Sequence, residues 1–310
     1  MIQKILEVQQ SGTVETLYYK ISEIKMPIIL IKGQYPGRTL LITAGIHGSE
    51  YPGIEAAKRI KNKILPEELS GNIIILPCVN QKAFFERSTF INPADGKNLN
   101  RCFPGKRDGT ESEQIAYMLE KDFFSLSDFY LDFHSGDLPE KLAKFVFIPS
   151  FGEKEIVQAA HDAANYLDLP FGVLSQSRSG AYNHACLKGL PSLLIERGCF
   201  GERTEEAING FVEDTYQILR YLKMLSDKKI FPKDLRLLEK VHYMTSSFSG
   251  LWTPLYSVGD TVKKGETLGV IEDFFGNIIK EYRAEQDGEI LYQITGLPIS
   301  QGEHLIAYGY

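Results

Sequence analysis

Residues 40–53 read LLITAGIHGSEYPG: an apolar run that stops at a glycine, a loop carrying His47 and Glu50, and a proline placed to open a helix. Pro52 suits a first helical turn, because its missing N–H has no intrahelical partner there in any case. Strand, loop and helix in that order is the unit of open α/β sheets, whose ligands bind beyond the carboxyl ends of the strands. His47 and Glu50 therefore stand where a site is expected. Taken alone, a His-x-x-Glu pair fits a metal site and also a solvated loop.

The same texture runs outward from this stretch. Short apolar runs at 28–31, 39–44, 72–79, 129–133, 145–148 and 192–196 predict strands, and the amphipathic stretches between them predict helices. One helix is expected from Pro52 to about residue 63. Thr110 with Glu113, and Ser150 with Glu153, have the spacing of capping boxes and predict two more helix starts. A long amphipathic helix is expected from 204 to about 225. Residues 1–230 thus form one α/β domain, and from about 231 to 310 the pattern changes to short alternating strands separated by Gly-containing turns.

Two further strand ends and one turn-rich loop carry polar residues. FYLDFHSGD at 129–137 delivers His134 into a Ser-Gly loop, and a catalytic metal site of the His2Glu kind needs such a third donor plus an open position for water. Asp132 lies on the same strand face as His134 and suits either the orientation of that imidazole or a plain surface carboxylate. PSLLIERGCFGE at 191–202 ends an apolar strand in Glu196, placed either as a general base beside activated water or as a partner of Arg197. The turn-rich NPADGKNLNRCFPG at 92–105 holds Asn98, Asn100 and Arg101. The planar fork of Arg101 matches a substrate carboxylate, with a structural salt bridge as the competing use. Upstream, Arg87 is a second candidate cation, able to face a scissile carbonyl.

Together these four segments resemble the succinylglutamate desuccinylase and aspartoacylase family, over most of residues 25–300. The resemblance implies a zinc-carboxypeptidase-like mixed sheet flanked by helices, with a small C-terminal all-β barrel-like module. It implies one Zn2+ per chain on His47, Glu50 and His134, with Glu196 as catalytic base and acid, and Asn100 and Arg101 on the substrate carboxylate. The family places an arginine shortly before the Asp-Gly of the turn-rich loop. Here that loop reads ERSTFINPADG, so Arg87 is an approximate match and Thr89 falls nearer the expected position. Ser179 and Gly180 match a loop near the family's pocket, while His184 is expected to pack on a helix face. The C-terminal VGDTVKKGETLGVIE resembles biotinyl and lipoyl domains without their carrier lysine, which implies a structural or site-covering module.

The implied activity is hydrolysis of the amide bond of a small N-acyl amino acid by metal-activated water. A carboxypeptidase acting on peptides, or a silent ligand-binding protein on the same fold, are the rival readings. Composition adds exclusions. A net charge of −6 over 310 residues argues against a nucleic-acid or anionic-membrane binder. Four scattered cysteines without CxxC spacing predict buried thiols, and with no signal-like N-terminus they predict a cytoplasmic protein. Self-association into a homo-oligomer is left open.

Overall fold

The computed structural model describes residues 2–21 and 24–310. Its helices are α1 (Ile2–Val8), α2 (Tyr51–Lys63), α3 (Gln81–Glu86), α4 (Glu111–Met118), α5 (Lys154–Ala164), α6 (Ala181–Leu187) and α7 (Glu205–Tyr221). The first ten strands are β1 (Thr13–Ile21), β2 (Ile24–Lys32), β3 (Tyr35–Ala44), β4 (Ser70–Leu76), β5 (Phe129–His134), β6 (Glu140–Leu142), β7 (Phe145–Pro149), β8 (Phe171–Ser175), β9 (Ser192–Glu196) and β10 (Arg236–Leu238). All except β6 form a mixed nine-stranded sheet in the order β1-β2-β4-β3-β5-β9-β7-β8-β10. Strands β4, β3, β5 and β9 run parallel at its centre.

Alternate residues of these strands feed two cores. Leu40, Ile42 and Phe133 pack with α2, α5 and α7 through Ile60, Ala163 and Phe211. Leu41, Ile74 and Tyr130 pack on the opposite side with α4 and α6 through Ile115 and Ala185. A sheet covered on both faces explains why its strands read as continuous apolar runs. Each fully buried aliphatic side chain contributes about 1.5–3 kcal/mol. The expected α/β class with a C-terminal β module is the architecture observed.

Local differences have local causes. Glu113 accepts the Thr110 N–H at 2.9 Å, as the capping spacing predicts. The second box does not form: α5 begins three residues later, with Glu153 at its N-cap. Gly152 at φ +149 lies so close to the Cys186 carbonyl that a Cβ would meet it at 3.0 Å, so the chain is still turning where the spacing predicts helix.

After Leu238 the chain enters the β module: β11 (Val241–Thr245), β12 (Gly250–Pro254), β13 (Thr261–Val262), β14 (Thr267–Glu272), β15 (Ile278–Arg283), β16 (Gly288–Ile294), β17 (Pro298–Ile299) and β18 (His304–Gly309). They form two antiparallel sheets around Trp252, Leu268, Ile290 and Leu305. The two parts exchange edges: β10 joins the large sheet beside β8, and β6 joins the module's sheet beside β16.

Beyond β9, Arg197 turns inward. Its guanidinium pairs with Asp214 of α7 at 2.6 and 2.9 Å and reaches the Asp168 carbonyl at 3.0 Å. Asp214 is fully buried, so removing it strands a buried cation. Asp214→Ala is expected to lower unfolding free energy by about 3–5 kcal/mol, read from the midpoint of denaturant unfolding. An unchanged midpoint would contradict a stabilising role for the pair.

Candidate metal centre and cleft

The site lies at the carboxyl edge of β3, β5 and β9. Strand β3 ends at Ala44, and the loop that follows brings His47 and then Glu50, the N-cap residue of α2. Close packing forces this loop to be small: a Cβ on Gly48 would stand 2.2 Å from the backbone of Ala83 and Phe84. His134 closes β5, and in the parallel register it stands beside Glu196 at the end of β9.

Glu50 joins the two histidines. Its Oε1 lies 2.6 Å from His47 Nδ1 and its Oε2 2.9 Å from His134 Nδ1. Ligand atoms of all three fall within 4.8 Å of one another, and all three residues are buried. Burial alone would raise the Glu50 carboxyl, but the flanking imidazoles overcome it and bring the group down to about 2. Two imidazoles and one carboxylate with nitrogen and oxygen atoms converging on one point could hold a divalent transition metal.

The outer faces of both rings are also engaged. His47 Nε2 lies 3.2 Å from Asn98 Oδ1, which accepts the Asn100 N–H at 2.8 Å as well. His134 Nε2 lies 3.2 Å from Asp132 Oδ2, close but not aligned for a hydrogen bond. Thr43 donates to the other Asp132 oxygen at 2.7 Å. Partners of this kind fix ring orientation and leave both Nδ1 atoms facing Glu50. The sequence singled out Asp132 for that position, whereas Asn98 carried no assigned role.

Glu196 is buried, and its Oε2 has no hydrogen-bond partner. Burial pushes its carboxyl well above the ordinary carboxylate range, with His134 opposing. Arg197 does not neutralise it, being committed to Asp214. The donor set and this orphaned carboxylate oxygen beside it suit a centre that holds a cation and a water.

These residues open into a cavity of about 1090 Å³. Arg101 lines it and has no acidic partner among the described residues. Asn100 lines it too, but its amide oxygen accepts the Ala181 N–H at 2.8 Å, leaving the NH2 group for a ligand. Arg87 is not brought to the cleft. It caps the C-terminus of α3 at φ 54, exposed to solvent, while Thr89 and Phe90 two and three residues on line the cavity. The helix ends before the arginine can turn inward, which corrects its expected placement. His184 also faces away, its Nε2 lying 2.5 Å from Glu120.

Several lining residues were not singled out by sequence. Tyr243, Tyr292 and His304 come from the C-terminal module, and Glu140 from the strand that joins it. Asp137 ties the surrounding loops together by accepting the Ser49 hydroxyl, the Phe90 N–H at 3.0 Å and the Leu138 N–H at 2.8 Å. No motif marks these residues; only the HSGD run after β5 points toward Asp137. Among the described residues, no helix is long and apolar enough to cross a membrane.

Residues 36–222 match the succinylglutamate desuccinylase/aspartoacylase catalytic domain. The chain is 27% identical over 292 residues to the N-alpha-acetyl-L-2,4-diaminobutyric acid deacetylase of Halomonas elongata, covering 90% of this chain and 84% of that protein. Among solved structures it is similar to the product-bound ectoine utilization protein EutE (DoeB) from Ruegeria pomeroyi, with a TM-score of 0.86, 24% identity, and coverage of 97% and 96% of the two chains. A succinylglutamate desuccinylase from Silicibacter sp. TM1040 gives 0.83, with 24% identity and coverage of 98% and 97%. At these identities the structural likeness establishes the fold.

Purified without chelators, the protein is expected to carry about one equivalent of a divalent transition metal, measured by elemental analysis. Glu50→Ala should reduce it to a small fraction of that. Equal metal content in the variant would place the metal elsewhere.

Proposed function

This chain belongs to the succinylglutamate desuccinylase/aspartoacylase family, and we propose that it is a zinc-dependent deacylase cleaving the amide bond of small N-acyl amino acids. The observation that carries this reading is the unpartnered, buried Oε2 of Glu196 beside the cluster of His47, Glu50 and His134. These three would hold the zinc ion, which when bound supplies Lewis acidity for an acyl carbonyl and acidifies water. Every other step falls to side chains of this chain.

Glu196 takes a proton from the attacking water and delivers it to the leaving amine. Its raised carboxyl suits a group that must carry the proton between those steps. Asn98 and Asp132 hold the imidazoles in place, so the metal-facing nitrogens need not reorganise. Arg101, with the Asn100 NH2 beside it, receives the substrate carboxylate and so orients the scissile amide. Asn100 itself is fixed by Ala181 at the start of α6.

A small substrate fits the enclosure better than a peptide. Tyr243, Tyr292 and His304 of the C-terminal module line the cavity, and a wall built in part from that module supports a small substrate. The Halomonas relative, a deacetylase of an N-acetylated amino acid by its name, supports the same substrate class.

A screen of N-acetyl and N-succinyl amino acids for release of free amine tests the reading, with hydrolysis of at least one expected and preference for a blocked dipeptide contradicting it. Glu196→Gln should lower kcat by about 10²–10⁴ with the metal retained; unchanged turnover would remove Glu196 from the mechanism. Arg101→Ala should raise KM by about 10- to 100-fold, the worth of a charge-assisted hydrogen bond, and an unchanged KM would remove the anchor.

A further inference from the structure

The charges around the cavity are unequal. Among the described residues Arg101 is the one Lys or Arg that lines it, against Glu50, Glu140, Glu196 and Glu303. Glu50 and Glu196 belong to the centre described above, where a divalent cation would balance them. What remains is one arginine facing two glutamates, of which Glu303 is exposed at the rim and Glu140 is only 7% exposed.

Glu140 opens β6, the strand that leaves the catalytic part to pair with β16 of the module. Its Oε2 accepts the Asp137 N–H at 2.8 Å, and the Tyr292 hydroxyl faces the same carboxylate. No Lys, Arg or His pairs with it among the described residues. A buried carboxylate without a cation is costly, and proteins keep such groups where a ligand or proton completes them. Burial pushes this one up to about 7, with the charges of Asp137 and Glu50 adding to the rise.

Arg101, Glu140 and Tyr243 line the same cavity, so the two opposite charges share a single chamber. With a substrate carboxylate at Arg101, the charged groups of the lining left to meet the substrate's side chain outside the metal centre are the carboxylates of Glu140 and Glu303. An N-acylated aspartate or glutamate would bring a second carboxylate into a lining that has, among the described residues, no second Lys or Arg to meet it.

We propose that Glu140 determines specificity on the amine side of the cleft, selecting N-acyl diamino acids whose free side-chain ammonium it receives while Arg101 holds the α-carboxylate. This rests on the deacylase reading above and adds to it the charge of the side chain. The substrate in the Halomonas relative's name has such a side chain, but the inference stands on Glu140 and on the single arginine.

Three substrates of matched side-chain length test it: N-α-acetyl-L-2,4-diaminobutyrate, N-acetyl-L-norvaline and N-acetyl-L-aspartate. For the metal-loaded protein, kcat/KM is expected to fall in that order, the cationic substrate exceeding the neutral one by about tenfold or more. In Glu140→Gln, which keeps an acceptor for the Asp137 N–H, the ratio of cationic to neutral should fall by about tenfold. An unchanged ratio, or an equal loss on all three substrates, would overturn the proposal. Calorimetric binding of the three free amino acids reads the subsite without catalysis. If none of the amides is cleaved but 2,4-diaminobutyrate binds tightest in a Glu140-dependent manner, the subsite stands and the deacylase reading falls. If the three bind alike, the subsite falls.

Discussion

The parallel register of β5 with β9, which sets His134 beside Glu196, is the constraint on which the rest of the site depends. Strand β3 pairs with β5 on the other side, so the loop carrying His47 and Glu50 leaves the sheet at the same edge. A slip of one residue in either pairing would turn these side chains to opposite faces. The apolar runs covered on both faces by helices hold that register, and the site inherits its precision from them. Two imidazoles and the carboxylates of Glu50, Asp132 and Glu196 are thereby buried together. Such a concentration of ionisable groups is unfavourable without a compensating charge, which is the physical reason to expect a cation there.

The exchange of edges between the two parts has a consequence for the cleft. Because β6 belongs to the module's sheet and β10 to the large sheet, the module cannot be a loosely tethered appendage. It is built into the wall of the cavity, whose lining includes Tyr243 and Tyr292 together with Arg101 and Glu196. The part of the chain whose sequence resembles a carrier domain thus has a structural reason to be present without a carrier lysine.

Much of this was legible in the sequence because strand ends announce themselves. Apolar runs stopping at His134, at Glu196 and just before His47 identify three positions on one sheet edge, and the structure brings them together. The Asn-Leu-Asn-Arg run placed Asn100 and Arg101 in the cleft. Arg87 lies outside the cavity lining, a placement that depends on where a six-residue helix stops, which no periodicity encodes. Glu140 was not singled out, and Asn98 was named without a role, for related reasons. A three-residue strand has no alternation to detect, and the contact of Asn98 with His47 spans 51 residues of chain. Strands β1 and β8 were passed over as well, β1 because an edge strand half open to solvent mixes polar and apolar residues, and β8 because Gly172 interrupts its short apolar run.

Anomalous diffraction from crystals of the metal-loaded protein, recorded on both sides of the zinc absorption edge, tests the central claim most directly. The account predicts one strong peak bounded by His47 Nδ1, Glu50 and His134 Nδ1, at about 2.0–2.2 Å from each. It also predicts that the Glu196 carboxylate faces the open side of that peak. A peak at other residues, or no peak in fully loaded crystals, would contradict it.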